Sequence, residues 1–317
     1  MDMAFDPFDP GAVAPETAAF NAEIEAVLAK LPPVYKLPPE LTRKARAEGR
    51  GPFPAAGPLP GSDWVEINGG AGRLRVSLPE GPPRGTYLHI HGGGWTLGAP
   101  DQYDQHNQRI ARQTGLRVVS VKYRLAPEHP WPACAEDCEA AAEWALTEFD
   151  GPVVIGGESA GGHLGAVTLL RLRGRGMAGR VAGVVLNYGC FDLRMTPSMA
   201  NWGERYLVLS TPVVEWFVQN LLPGGGVDSA EVSPLLADLG GLPPALFQIG
   251  TADPLLDDSL FMAGRWRAAG NMAELAVYPG GIHAFDMFDL EIARASWARQ
   301  DAFVSQCLEG WSPTTPA

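Results

Sequence analysis

Cysteine is scarce in this chain, with 4 in 317 residues, and that excludes the disulfide framework of a small secreted domain. Cys134 and Cys138 lie four apart on an expected helix. No His or Cys pair accompanies them, and two ligands do not make a zinc site, so reduced, semi-buried thiols are expected and no metal is implied. Basic charge is also short: 24 Lys and Arg stand against 36 Asp and Glu, a formal net charge of −12. With no basic run to offset it, that balance repels a polyanion and excludes nucleic acid as a partner. No stretch approaches the roughly 18 apolar residues of a membrane span. The opening "MDMAFDPFDPG" has acids and prolines where a signal peptide needs bases and then an apolar run. A soluble cytoplasmic protein with no membrane partner is the expectation. There is no internal repeat.

What is present is a large core's worth of apolar sequence. Hydrophobic residues make up 46% and charged residues 19%, enough for one large α/β domain or a core with a modest addition. Residues 16–31 place Phe20, Ile24, Val27 and Leu31 on one helical face. A proline- and glycine-rich stretch, 32–61, follows with a charged helical piece at 41–48. Two paired strands are expected at 64–68 and 72–78, with Gly69-Gly70-Ala71 at the turn. After Pro83 the rhythm becomes strand, loop, helix. Strands are expected at 86–91, 117–123, 152–157, 181–188, 245–250 and 273–279, with helical patterns near 103–113, 133–148, 160–173, 258–269 and 293–308. Apolar strands alternating with helices predict a mainly parallel sheet covered on both faces. Residues 192–225 interrupt the rhythm with Trp202, Tyr206, Trp216 and Phe217 and a helical pattern at 213–222. So aromatic a segment suits folding over the sheet's edge.

Ligands of an open parallel sheet bind beyond the carboxyl ends of its strands, so the residues that follow each strand are the ones to search. "GGESAGG" puts Ser159 between a strand and a helix. It reads either as a helix N-cap or as the G-x-S-x-G turn that exposes a nucleophile, whose glycines permit the sharp bend and close packing. "HGGGW", after the first parallel strand, offers backbone N–H groups of Gly92 and Gly93 unobstructed by side chains. With the N–H of Ala160 they suit an oxyanion hole. A serine needs a base. His89 alternates within a strand, and His106 and His129 sit in polar or proline-rich surroundings. His163 suits packing on the helix after the turn, and His91 suits a hydrogen bond that steadies the glycine loop. His283, in a glycine-containing loop after the last strand, is best placed to reach Ser159. For the acid, Asp253 comes soonest after its strand, whereas Asp257 and Asp258 read as helix N-terminal residues favoured by the macrodipole. The chain order Ser159, Asp253, His283 is that of α/β-hydrolases, and agreement at four strand ends decides for the nucleophile.

"HGGGW", "YRLAPEHPWPA" (123–133), "GGESAGG", "DPLLDD" and "GIHAF" together resemble the bacterial hormone-sensitive-lipase-like esterases, family IV of the lipolytic enzymes, over residues 64–308. The resemblance implies an α/β-hydrolase fold: a mostly parallel sheet of about eight strands with helices on both faces. It also implies a helical cap, formed by residues 1–50 and an insertion at about 192–225 of a catalytic domain spanning 51–317. Carried over motif by motif, Ser159 is the expected nucleophile, Asp253 the acid and His283 the base. Gly92, Gly93 and the Ala160 N–H are the expected oxyanion hole. Glu158 stands where many members have Asp, Lys122 where an acid is frequent, and Leu256 where an Arg is frequent. The implied activity is serine carboxylester hydrolysis of short acyl chains, without a cofactor, in a protein that dimerises through the last strand. Trp95, Trp202, Trp216 and Phe217 are expected to line an apolar pocket. Two other readings share these motifs: an amidase resembling arylformamidases, and a small-molecule receptor on the same fold. The receptors lack the catalytic histidine, whereas His283 is present.

Overall fold

The apolar runs form eight strands: β1 (Ser62–Glu66), β2 (Arg73–Ser77), β3 (Thr86–Ile90), β4 (Arg117–Val121), β5 (Val153–Glu158), β6 (Val181–Asn187), β7 (Ala245–Ala252) and β8 (Ala273–Ile282). They make one sheet in the order β1-β2-β4-β3-β5-β6-β7-β8. β2 is antiparallel to both β1 and β4, and every later pairing is parallel. The structure is a computed structural model that describes residues 6–54, 57–67 and 72–311. The expected turn at 69–71 lies outside the described residues.

Nine helices occur among the described residues: α1 (Pro15–Leu28), α2 (Pro39–Ala47), α3 (Asp104–Thr114), α4 (Ala133–Glu148), α5 (Ala160–Gly174), α6 (Pro197–Ala200), α7 (Thr211–Leu221), α8 (Leu256–Ala268) and α9 (Glu291–Gly310). Alternate strand residues face opposite layers. Val119, Ile155, Val184 and Phe247 pack with residues of α4, α5 and α8. Val118, Val154, Val185 and Leu246 pack with residues of α3 and α9. Both faces are therefore covered, which is why the central strands read as continuous apolar runs rather than alternating ones. No helix among the described residues is long and apolar enough to cross a membrane. All four cysteines are free and buried.

Two segments cross above the carboxyl ends of the strands. α1 docks on β8, where the Asn21 side chain donates to the Gly280 carbonyl (2.7 Å) and Phe20 packs on Phe288. Its buried stripe runs through Thr17, Ile24 and Leu28. Val27 and Leu31, expected on that face, are 40% and 43% exposed. The 100° step turns Val27 off the stripe, and Leu31 lies beyond the helix end. The insertion carries α6 and α7, and Arg205 within it pairs with Glu25 of α1 (2.8 Å). α2 is fastened from below by Arg43, which donates to the Thr96 and Ala126 carbonyls and pairs with Glu128.

Candidate active site

β5 ends at Glu158, and Ser159 turns the chain into α5 with φ 57 and ψ −117, a left-handed conformation that a non-glycine residue adopts only when its surroundings impose it. The surroundings are tight. A Cβ on Gly161 would stand 1.8 Å from the Ile90 carbonyl oxygen, and one on Gly157 would stand 2.5 Å from the Gly161 carbonyl. The glycines let α5 start directly against the end of β3, and the Ser159 N–H is held by the Asn187 carbonyl (2.9 Å). Ser159 makes no side-chain cap bond to α5.

Its hydroxyl faces His283 instead. The Ser159 hydroxyl and His283 Nε2 lie 2.8 Å apart, and His283 Nδ1 donates to Asp253 Oδ2 at 2.8 Å. Asp253 follows β7 and His283 follows β8, so neighbouring strands deliver acid and base at one level above the sheet. Asp253 is held by the Leu255 N–H at Oδ1 (2.9 Å) and is buried. The ring of Tyr188 meets His283 edge-on, 5.0 Å between centroids. Asp257 and Asp258 lie in the first turn of α8, as expected, and Asp258 does more there. It is buried and accepts from the N–H groups of Phe191 and Asp192 and from the Thr196 hydroxyl, which ties the insertion to α8.

The loop after β3 brings Gly92 beside the serine: a Cβ there would lie 2.9 Å from the Glu158 carbonyl oxygen and 3.4 Å from Ser159 Cβ. Gly93, at φ 119, turns the loop and accepts from the N–H groups of Thr96 and Leu97. No backbone carbonyl among the described residues accepts from the N–H of Gly92, Gly93 or Ala160; the Gly92 N–H reaches the Tyr103 hydroxyl. His91 braces this loop by donating Nδ1–H to the Gly92 carbonyl (2.8 Å) and stacking on Tyr123; burial lowers its pKa to about 3. His163 is buried on α5, accepts from the Trp95 indole N–H and donates to the Val232 carbonyl. Burial lowers its pKa to about 4.

Sequence reasoning missed the polar cluster under the serine. His89 Nε2 donates to Glu158 Oε2 (3.0 Å), its Nδ1 meets Ser120 Oγ (2.7 Å), and His106 lies 3.7 Å from the other carboxylate oxygen. Burial alone would raise the Glu158 carboxyl, but His89, His106 and His91 together outweigh it and hold the group below the usual carboxylate range. The one signal was the acid beside Ser159 in a strand that otherwise reads as apolar. Near His283, Asp286 accepts from the Tyr188 hydroxyl (2.5 Å), and burial raises its pKa to about 7.

Above Ser159 and His283 opens a cavity of about 630 Å³, walled by α2, α7 and the chain between α1 and β1. Of the four expected pocket aromatics, Phe217 lines it. Trp95 is 2% exposed and lines only a recess of about 20 Å³ on the far side of Ser159. Trp202 and Trp216 line neither. Trp202 packs on the core with its N–H on the Arg205 carbonyl, and Trp216 leans on Phe217 from outside. Tyr103, Tyr206 and Arg46 wall the cavity instead; no motif marked them.

A mostly parallel eight-stranded sheet of this order, with a strained serine at a strand-to-helix turn, defines an α/β hydrolase. A family model described as alpha/beta hydrolase fold matches residues 87–287. The chain is 36% identical to the carboxylic ester hydrolase LipN of Mycobacterium tuberculosis over 74% of its length, but that match spans only 63% of LipN. Among solved structures it resembles an esterase of Pyrobaculum calidifontis (29% identity, TM-score 0.80, covering 93% of this chain and 98% of that one). It equally resembles a hormone-sensitive lipase from a metagenome library (27%, TM-score 0.82, 92% and 98%). The chain belongs to the α/β-hydrolase family, in its hormone-sensitive-lipase-like branch.

Proposed function

We propose that the protein is a serine carboxylesterase that cleaves short- to medium-chain acyl esters through an acyl-enzyme. The observation that carries this reading is the hydrogen-bonded line from Ser159 through His283 to Asp253. His283 Nε2 takes the hydroxyl proton as Ser159 Oγ attacks the ester carbonyl, and Asp253 fixes the tautomer that leaves Nε2 free. The developing oxyanion is received by the N–H groups of Gly92, Gly93 and Ala160, on which no backbone carbonyl among the described residues sits. Removing one such donor typically costs about 10²–10³ in kcat. Collapse expels the alcohol with the proton from His283, and water then repeats the sequence on the acyl-enzyme. The segments of α1, α2, α6 and α7 act as the cap that keeps bulk water from the cavity, and the free edge of β8 is the surface on which a second copy would dock.

The test is hydrolysis of p-nitrophenyl acetate, butyrate, octanoate and laurate by the wild type and Ser159→Ala. Turnover greatest among the shorter esters and lost in the variant is the expected result. A maximum at laurate would sink the chain-length reading, and undiminished turnover by Ser159→Ala would sink the mechanism. Matched ester and anilide substrates separate this activity from the amidase reading.

A further inference from the structure

Two unequal spaces meet at Ser159. The larger holds His283, Gly92 and Tyr103 in its wall. The smaller is the recess of about 20 Å³ lined by Ala160, Trp95, Cys190, Val214 and Leu255, and His283 takes no part in it. Phe217 borders both; its ring lies so flat on Gly94 that a Cβ there would come within 2.3 Å of it. The imidazole that accepts the serine proton must hand it to the departing oxygen, so the alcohol half leaves on the His283 side. The large cavity is therefore the alcohol side. The recess, left for the acyl half, has room for about one or two carbons, since roughly 10–15 Å³ of such volume holds one water-sized group.

The alcohol side is unusual for a chain of net charge −12. Lys44, Arg46 and Arg50 line it, and the carboxylate among its lining residues is Glu158, already paired with His89 below. Lys44 is exposed to solvent and Arg50 pairs with Glu48. Arg46 differs: it is half-buried, and no carboxylate among the described residues pairs with it. Its guanidinium lies over the Phe53 ring at 5.3 Å. Such stacking contributes about 0.5–1 kcal/mol at exposed sites, which does not offset withdrawing a guanidinium from water without a counter-ion. An unpaired cation in the wall of a reaction cavity, facing the half of the substrate that leaves, has the chemistry of an anion receptor.

Building on the esterase reading, we propose that the substrate is a short acyl ester of an alcohol or phenol carrying an oxyanion group, and that Arg46 pairs with that group. In the reaction Ser159 Oγ bonds to the acyl carbon and the bond from that carbon to the alcohol oxygen breaks. The proton passes through His283 to that oxygen, and water later frees the acid.

The experiment compares 4-acetoxybenzoate with its methyl ester, methyl 4-acetoxybenzoate, on wild type, Arg46→Gln and Arg46→Lys. The wild type is expected to favour the anion through KM. Arg46→Gln should raise KM for the anion roughly tenfold more than for the methyl ester, the scale of one charge-assisted hydrogen bond, and Arg46→Lys should keep part of the preference. Equal effects of Arg46→Gln on the two substrates, or no wild-type preference, would overturn the proposal. Should Arg46→Gln not fold, wild-type product inhibition decides: stronger inhibition by 4-hydroxybenzoate than by its methyl ester supports it, and equal or weaker inhibition overturns it. Failure of the wild type to hydrolyse the methyl ester and p-nitrophenyl acetate alike would instead count against the esterase reading itself.

Discussion

The floor of the cavity and its walls are built on different terms. The floor is backbone: β3 and β5 end side by side, Gly157 and Gly161 let α5 start against Ile90, and Gly92 slides past Ser159 with no room for a side chain. The walls are side chains contributed by α2, α7 and the chain between α1 and β1. Floor positions tolerate almost no substitution because each clash is with main chain, which cannot swing aside. Wall positions can change residue while the fold stands. Chemistry common to a superfamily therefore sits in the floor, and the choice of substrate sits in the walls.

Four substitutions probe the difference between floor and walls. Asp253→Asn strikes the floor's chemistry without its packing, and kcat should fall by about 10⁴ while Tm stays near the wild type; steady-state kinetics with a melting curve checks both. Gly161→Ala attacks the packing. Its Cβ would stand 1.8 Å from the Ile90 carbonyl, so a loss of about 3 kcal/mol or more of stability is expected with activity falling too. A Tm within a degree of the wild type would contradict the fixed-floor account.

Asp286→Asn tests the buried acid beside His283. Its folded pKa is about 7 against an ordinary 3.8, so the folded state holds the extra proton between these values, and wild-type stability falls as pH rises through that window. The variant lacks this slope and should gain on the wild type from about pH 4 to pH 7, by on the order of 1–3 kcal/mol. His91, His106 and His163, whose pKa values burial lowers to about 3, 3 and 4, act in the opposite sense in both proteins. Melting temperatures at four pH values read the difference, and a gap independent of pH would refute it. The smallest effect belongs to the wall. Phe217→Ala should open the recess into the main cavity and move the preferred p-nitrophenyl ester toward longer acyl chains, by a few-fold in relative kcat/KM. An unchanged profile would mean that Phe217 does not bound the acyl side.

The same contrast explains what could be read from the sequence. Every expected strand from Thr86 onward formed within a few residues of its predicted limits, because continuous apolar runs bounded by loops leave little choice. Ser159, Asp253 and His283, chosen for their positions after strands, lie within hydrogen-bond reach of one another. Strand ends are fixed by the sheet, so a residue's distance beyond a strand is already a coordinate. The walls gave no such purchase. Trp202 and Trp216 looked like pocket residues by type, but which way each faces depends on the turn after α6 for Trp202 and on the rotation of α7 for Trp216, and both turned away. Arg46 was one of several charges on a polar helix, distinguishable only once the missing partner could be seen. His89 read only as a residue alternating within a strand and His106 as one in polar surroundings, and their link to Glu158 needs strands and helix in three dimensions.

Whether Ser159 is the nucleophile is decided by labelling the protein with a fluorophosphonate and locating the adduct by peptide mass spectrometry. A nucleophilic Ser159 predicts one adduct on the peptide containing it, with ester hydrolysis lost in step with labelling and no adduct in Asp253→Asn on the same time scale. Full hydrolytic activity in protein labelled at Ser159, or an inactivating adduct on a different residue, would contradict it.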